Sequence, residues 1–181
     1  NTMGVSVSAA FAVVNRIDDF AYTPEQNIAH AMTALMAQNK GAGKIDRMKE
    51  GFRCGIILET IYGILIFIIC FALAMMFVKD EEVIGHGVTY LHLISVMYLL
   101  PALTNGIQGF FRGIGDLKIT LISSFINMAL RVLAAAPLVL IWKMGIEALP
   151  YSYLAGWIGM LVAETPLLLK TYKTWGKKAR Q

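Results

Sequence analysis

Cys54–Val78 reads CGIILETIYGILIFIICFALAMMFV and carries a single charge, Glu59. A helix that crosses a bilayer needs roughly 17–25 mostly apolar residues, whereas a soluble core helix is shorter and keeps one wet face. This stretch therefore reads as a membrane span. Three others share its pattern. Val83–Phe111 holds no Asp, Glu, Lys or Arg, only His86 and His92; Ile119–Trp142 holds one charge, Arg131; Ala148–Leu169 holds one, Glu164. Lipid-exposed backbone satisfies its own polar groups only in helices or closed barrels. Alternating segments of about ten residues, the mark of a barrel, do not recur. The expected fold class is all-α, a polytopic membrane helix bundle.

Composition agrees. The 181 residues are 57% hydrophobic and 15% charged, with a mean hydropathy of +0.61. Soluble domains carry about 25% charged residues. A disordered tail, a collagen and a disulfide scaffold are excluded on the same figures. The chain opens Asn1-Thr2-Met3-Gly4, with neither an initiator Met nor the basic-then-apolar order of a signal peptide, and reads as part of something longer.

Val5–Gln38 is less plain, because Arg16, Asp18, Asp19 and Glu25 interrupt it. Helical spacing gathers Asn15, Asp19, Tyr22, Gln26, His30 and Thr33 on one face, opposite Ala, Phe, Val, Ile and Met. A spanning helix with that face on a water-filled cavity tolerates such charges. Counting it, the chain has five transmembrane helices, with spans 5–38, 54–78, 83–111, 119–142 and 148–169.

Sidedness follows from the basic residues. Lys40, Lys44, Arg47, Lys49 and Arg53, then Arg112 and Lys118, then Lys170, Lys173, Lys177, Lys178 and Arg180 all fall on one side; Lys79 and Lys143 fall on the other. The positive-inside rule places the larger group and the C-terminus in the cytoplasm, in a multi-pass protein of the cell (inner) membrane. The net charge of +4 is thus an orientation signal, and no nucleic-acid partner is expected. Trp142, Tyr151, Tyr153, Tyr172 and Trp175 stand where an interfacial aromatic belt would.

Pro24–Gly43 reads PEQNIAHAMTALMAQNKGAG and is followed by the basic loop KIDRMKEGFR. Its Gln38-Asn39-Lys40-Gly41-Ala42-Gly43 edge, and the later turn GFFRGIGD at Gly109–Asp116 with Arg112-Gly113, resemble the two signature turns of the multidrug and toxic compound extrusion (MATE) transporters. The resemblance covers essentially the whole chain. It implies a two-lobed bundle of twelve helices, of which residues 1–181 are helices eight to twelve, a partial C-terminal transporter lobe holding most of its six helices. It also implies a missing N-terminal lobe and seventh helix as partners, and exchange of organic cations or other amphiphiles for H⁺ or Na⁺. No cofactor beyond that coupling ion is expected. Independently of the name, Gly41, Gly43, Gly113 and Gly115 suit backbone conformations that end a helix.

An antiporter needs intramembrane groups whose occupancy shifts a conformational balance. Asp18, Asp19 and Arg16 are the leading cation or substrate candidates. Gln26 continues their face past Pro24, with Glu25, Asn27 and His30. In the third span Tyr98, Pro101, Asn105, Gln108 and Arg112 form a second stripe, and Asn105 and Gln108 are expected to line a cavity or bond between helices. Some branches of the family carry an acidic cation ligand where this chain has Pro101, which puts that sodium site in doubt here. Arg131 shares a face with Thr120, Ser124 and Asn127, and Glu59 and Glu164 are its available counter-ions. Ser152, Gly156, Gly159 and Ala163 offer a small face for close helix packing. His30, His86 and His92 form no metal or enzyme constellation, so no enzyme is expected, and no metal site is assigned. Two other functions fit the pattern: a lipid-linked saccharide flippase of the same wider group, and a non-transporting membrane partner protein.

Overall fold

The computed structural model describes residues 5–77, 93, 95, 97–145 and 148–178, with side chains in the first helix described for Asp19 and from Ala21 onward. Five helices are formed among these residues: α1 Val5–Gly41, α2 Ile45–Phe77, α3 Leu99–Gly113, α4 Leu117–Leu140 and α5 Ala148–Lys178. Three of them contain stretches long and apolar enough to cross a membrane: Ile45–Ile69, Leu117–Leu140 and Ala148–Trp175. At 1.5 Å per residue, the 24 residues of α4 reach about 36 Å, enough for a hydrocarbon core of about 30 Å.

Two boundaries differ from expectation. The segment KIDRMKEGFR is not a loop, because α2 begins at Ile45. Met48 and Phe52, four residues apart, are buried on one face of its first turns, and that burial draws a charged sequence into helix. At the other end, α5 runs nine residues past Leu169, so Lys170, Lys173, Lys177 and Lys178 ride on a helix. Most of the expected third span before Leu99 lies outside the described residues.

Pro24 and Pro166 each sit inside a helix without ending it. In both places the preceding threonine donates its hydroxyl to the carbonyl four residues back: Thr23 to Asp19 at 2.7 Å and Thr165 to Leu161 at 2.7 Å. Neighbouring Ser and Thr side chains of this kind support the backbone beside a proline, which cannot donate its own N–H.

The bundle has two packed groups. In the first, α1, α2 and α3 all touch one another; in the second, α4 lies along α5; and α3 belongs to both. Met32, Met36, Met48, Phe52, Ile107, Phe110 and Phe111 form the core of the first group. Tyr172 and Trp175 of α5 close it from the side, with ring centroids 5.2–6.2 Å from Phe110. These two aromatics are half-buried and pack against that core.

The close approach of α1 and α3 depends on two glycines. A Cβ on Gly109 would lie 2.6 Å from the Ala29 carbonyl oxygen, and one on Gly113 would lie 2.6 Å from that of Thr33. Gly113 is thus a packing residue and not a turn-former, and Gly41 is still helical. The left-handed conformations that end α1 and α3 belong to Gly43 (φ 67°) and Gly115 (φ 79°). Lys40 Nζ donates to the Ile114 carbonyl, tying the ends of α1 and α3 together.

Candidate functional site

The buried carboxyls are the first unusual chemistry. Glu25 on α1, Glu59 on α2 and Glu164 on α5 are each 0% exposed. Both carboxyl oxygens of all three lack a hydrogen-bond partner. Glu25 and Glu59 are close enough to repel, and Asn105 of α3 faces Glu25 outside strict hydrogen-bond geometry. Gly106, next to Asn105, is the point where α3 passes Glu59: a Cβ there would meet Glu59 Cγ at 3.5 Å. Two carboxyls and an unpartnered amide therefore converge where α1, α2 and α3 meet. Glu164 stands apart, beside Gln108 and Ser123 and in the field of Arg112, whose Nε is buried and unpartnered.

Glu25 departs from its expected place. It does not continue the wet face past Pro24. Ala21, Glu25, Ala29, Met32 and Met36 are the buried side of α1, while Asp19, Gln26, Asn27 and His30 are exposed. Successive residues on a helix point about 100° apart, so the turn that exposes Gln26 sends Glu25 into the packed face.

The second feature is a cavity of about 330 Å³ between the two helix groups. Asn105 and Gln108 of α3 face Ser124, Asn127 and Arg131 of α4 across it, and Trp157 of α5 walls one side. Gln108 Nε2 donates to Ser124 Oγ at 3.1 Å, and Asn127 Nδ2 points at the Met160 sulfur at 3.5 Å. The α3 stripe thus both lines a cavity and bonds between helices. Arg131 has neither expected counter-ion. Its guanidinium carbon lies 3.6 Å from the centre of the Tyr153 ring, and its stem passes over Gly156, where a Cβ would lie 2.6 Å from Arg131 Cγ. Gly159 likewise admits Leu130, so the small face of α5 is where α4 packs.

Of the remaining predicted residues, Arg16 and Asp18 have side chains outside the described set. Gln38 is exposed, and Asn39 turns back to donate to the Leu35 carbonyl at 2.8 Å. The structure therefore brings Asn105 and Gln108 into one site and leaves Asp19 and Gln26 on the outer surface of α1. Ser124, Asn127, Arg131 and Trp157 complete a wall that was legible only in part, from the α4 spacing. No three His, Cys, Asp or Glu side chains converge as metal ligands among the described residues.

Comparison with known proteins adds the identity. The MatE family profile matches residues 1–136, three-quarters of the chain. The chain belongs to the MatE family. It is 30% identical over 189 aligned positions to the "probable multidrug resistance protein YoeA" of Bacillus subtilis, and 22% identical over 186 to the "probable multidrug resistance protein NorM" of Thermotoga maritima. The match takes in 98% and 97% of this chain but 39% of each relative, so the chain spans about two-fifths of their length. Among solved structures it resembles the eukaryotic MATE transporter AtDTX14, with a TM-score of 0.78 at 20% identity over 97% of this chain and 40% of that one. A second likeness is to an inward-facing MATE transporter of the MOP superfamily, with a TM-score of 0.77 at 15% identity over 89% of this chain and 37% of that one. The MatE fold of the helical bundle rests on these two likenesses.

Proposed function

We propose that the chain is the second-lobe portion of a multidrug efflux antiporter. Joined to a first lobe and a seventh helix, it exchanges organic cations or other amphiphiles for a coupling ion, with its C-terminus in the cytoplasm. The observation that carries the ion-coupling part is the junction of Glu25, Glu59 and Asn105. A buried carboxylate without a partner costs several kcal/mol, and a bound cation or proton removes that cost. Occupancy there shifts the balance between conformations that shut the junction and conformations that open it. Of the two coupling ions, H⁺ fits better. The four carboxyl oxygens are closed off from solvent and unpartnered, and a proton on a carboxyl removes its buried charge without any further ligand. Arg16, Asp18 and Asp19, close together in the sequence of α1, are a second candidate for holding substrate or ion.

The test is reconstitution of the chain with its missing lobe in liposomes, reading ethidium efflux driven by a pH gradient and, separately, by a sodium gradient. Glu25→Gln and Glu59→Gln each abolish the response to the pH gradient while ethidium still binds. Retained pH-driven efflux in both would remove the junction from the mechanism. Full activity in Asp18→Asn, Asp19→Asn would remove the second candidate.

A further inference from the structure

The cavity between α3, α4 and α5 has a charge pattern of its own. Arg131 is the one charged residue among its lining side chains, and the rest of the polar lining is neutral amide and hydroxyl. An arginine carries five N–H donors in a flat fork suited to two oxygens of a carboxylate or phosphate. Among the described residues, Arg131 forms no ion pair and no hydrogen bond; its one partner is the Tyr153 ring face. Glu164 is two turns along α5 from Trp157 and belongs to the group around Gln108, Ser123 and Arg112.

Arg131 is also held in place. The missing Cβ of Gly156 leaves the groove in which its stem lies, and Tyr153, one turn before Trp157 on α5, takes the guanidinium on its face. Tyr153 and Trp157 meet edge to face at 5.9 Å, which fixes the Trp157 ring as the cavity wall. An intramembrane arginine costs about 2.5–3.5 kcal/mol at a helix centre and calls for water or an anion. Stacking on Tyr153 leaves the edge of the guanidinium fork, where its N–H groups point, unengaged.

We infer that this cavity takes amphiphiles by an anionic group, carboxylate or phosphate, seated on Arg131, with the apolar body against Trp157. The inference rests on the transport reading above and adds a substrate class to it: amphiphiles seated in this cavity carry a negative group, alone or in a zwitterion, and bind there more tightly than plain cations of the same body. The neutral amides of Asn105, Gln108 and Asn127 accept or donate to whatever polar groups the rest of the molecule presents.

A matched pair of probes tests it. Norfloxacin is a zwitterion with a carboxylate; its methyl ester keeps the ring and the amine but is a plain cation. Binding of both to the 181-residue chain in phosphatidylcholine nanodiscs is read by fluorescence anisotropy, with empty discs subtracted. Norfloxacin binds roughly tenfold or more tightly than the ester, the difference expected of a charge-assisted hydrogen bond to Arg131. Arg131→Gln removes that preference, norfloxacin then binding no more tightly than the ester, and an unchanged helical circular dichroism spectrum shows that the variant is folded. Arg131→Lys, with charge but no fork, retains only part of it. Equal binding of the two probes to the unaltered chain, binding of neither, or an equal loss of both in Arg131→Gln overturns the inference. Replacing phosphatidylcholine by phosphatidylglycerol separates the two sources of the anion. A lipid phosphate seated on Arg131 makes norfloxacin binding fall several-fold in the unaltered chain and not in Arg131→Gln, whereas a site selective for soluble carboxylates shows no such fall; either result supports an anion site. Transport is read separately. Norfloxacin preference without efflux from the rejoined protein sinks the transport reading alone, and efflux without the preference sinks this one alone.

Discussion

The two helix groups both show an apolar outer face, but only one of them encloses a core. In α1–α3 the seams between helices hold an aromatic core: Phe110 and Phe111 are 0% exposed, and glycines bring the backbones of α1 and α3 into contact, while α2 keeps Ile57, Leu58, Ile61 and Leu65 on its outer face. In α4 the only fully buried residue is Ser123, while Phe125, Met128, Val132 and Leu133 face outward. A helix that keeps most of its large apolar side chains outward is built for a bilayer or for further helices. A group with a greasy inside holds together by its own packing, and it is this group that buries two partnerless carboxyls.

The largest expected contrast is between two phenylalanines. Phe110→Ala should lower unfolding stability by about 3–5 kcal/mol, as truncation of a large core aromatic does. Phe125→Ala, in outward-facing α4, should stay within about 0.5 kcal/mol. Unfolding by SDS titration in mixed micelles reads both, and equal losses would mean that the two groups do not differ in packing.

Glycines sharpen the same comparison. A methyl on Gly109 meets a backbone oxygen of α1, whereas one on Gly159 meets the end of the Leu130 side chain at 2.0 Å. Backbone cannot step aside and a leucine can change rotamer. Gly109→Ala is expected to cost about 1–3 kcal/mol through overpacking, and Gly159→Ala less than about 1 kcal/mol. Thermal denaturation of the two variants side by side decides it; a larger loss for Gly159→Ala would place the rigid contact in the wrong group.

The smallest effect concerns the seam between the groups. Ser124→Ala removes the acceptor of the Gln108 bond, and interhelical hydrogen bonds in membranes average about 0.6 kcal/mol. Denaturation of this variant alone and combined with Gln108→Ala gives the pair energy from the double-mutant cycle. A coupling of zero would show that α3 and α4 meet without help from this bond.

What was legible in the sequence follows from range. The apolar runs around Glu59, Arg131 and Glu164 are local signals, and the helices they announce are there. The start of α2 was hidden because KIDRMKEGFR has the charge of a loop; the four-residue spacing of Met48 and Phe52 was the available clue. The burial of Glu25 could not be read from Pro24-Glu25-Gln26-Asn27, where every candidate is polar. Only the faces of α2 and α3 decide which of them turns inward. The partner of Arg131 escaped for a similar reason. A search for opposite charge passes over an aromatic ring, although Tyr153 and Gly156 stood three residues apart on the small face of α5.

Met160 sits between the amides of Gln108 and Asn127, with its sulfur 4.0 and 3.5 Å from their nitrogens. A thioether is a weak acceptor on a pliable stem. Mechanically, this makes the seam between the groups a soft bearing beside the stiff weld of α1 to α3: either amide can let go of the sulfur and turn toward an incoming molecule at little cost. Oxidation of that sulfur to a sulfoxide would replace the slack with a strong oxygen acceptor, and the seam would seize.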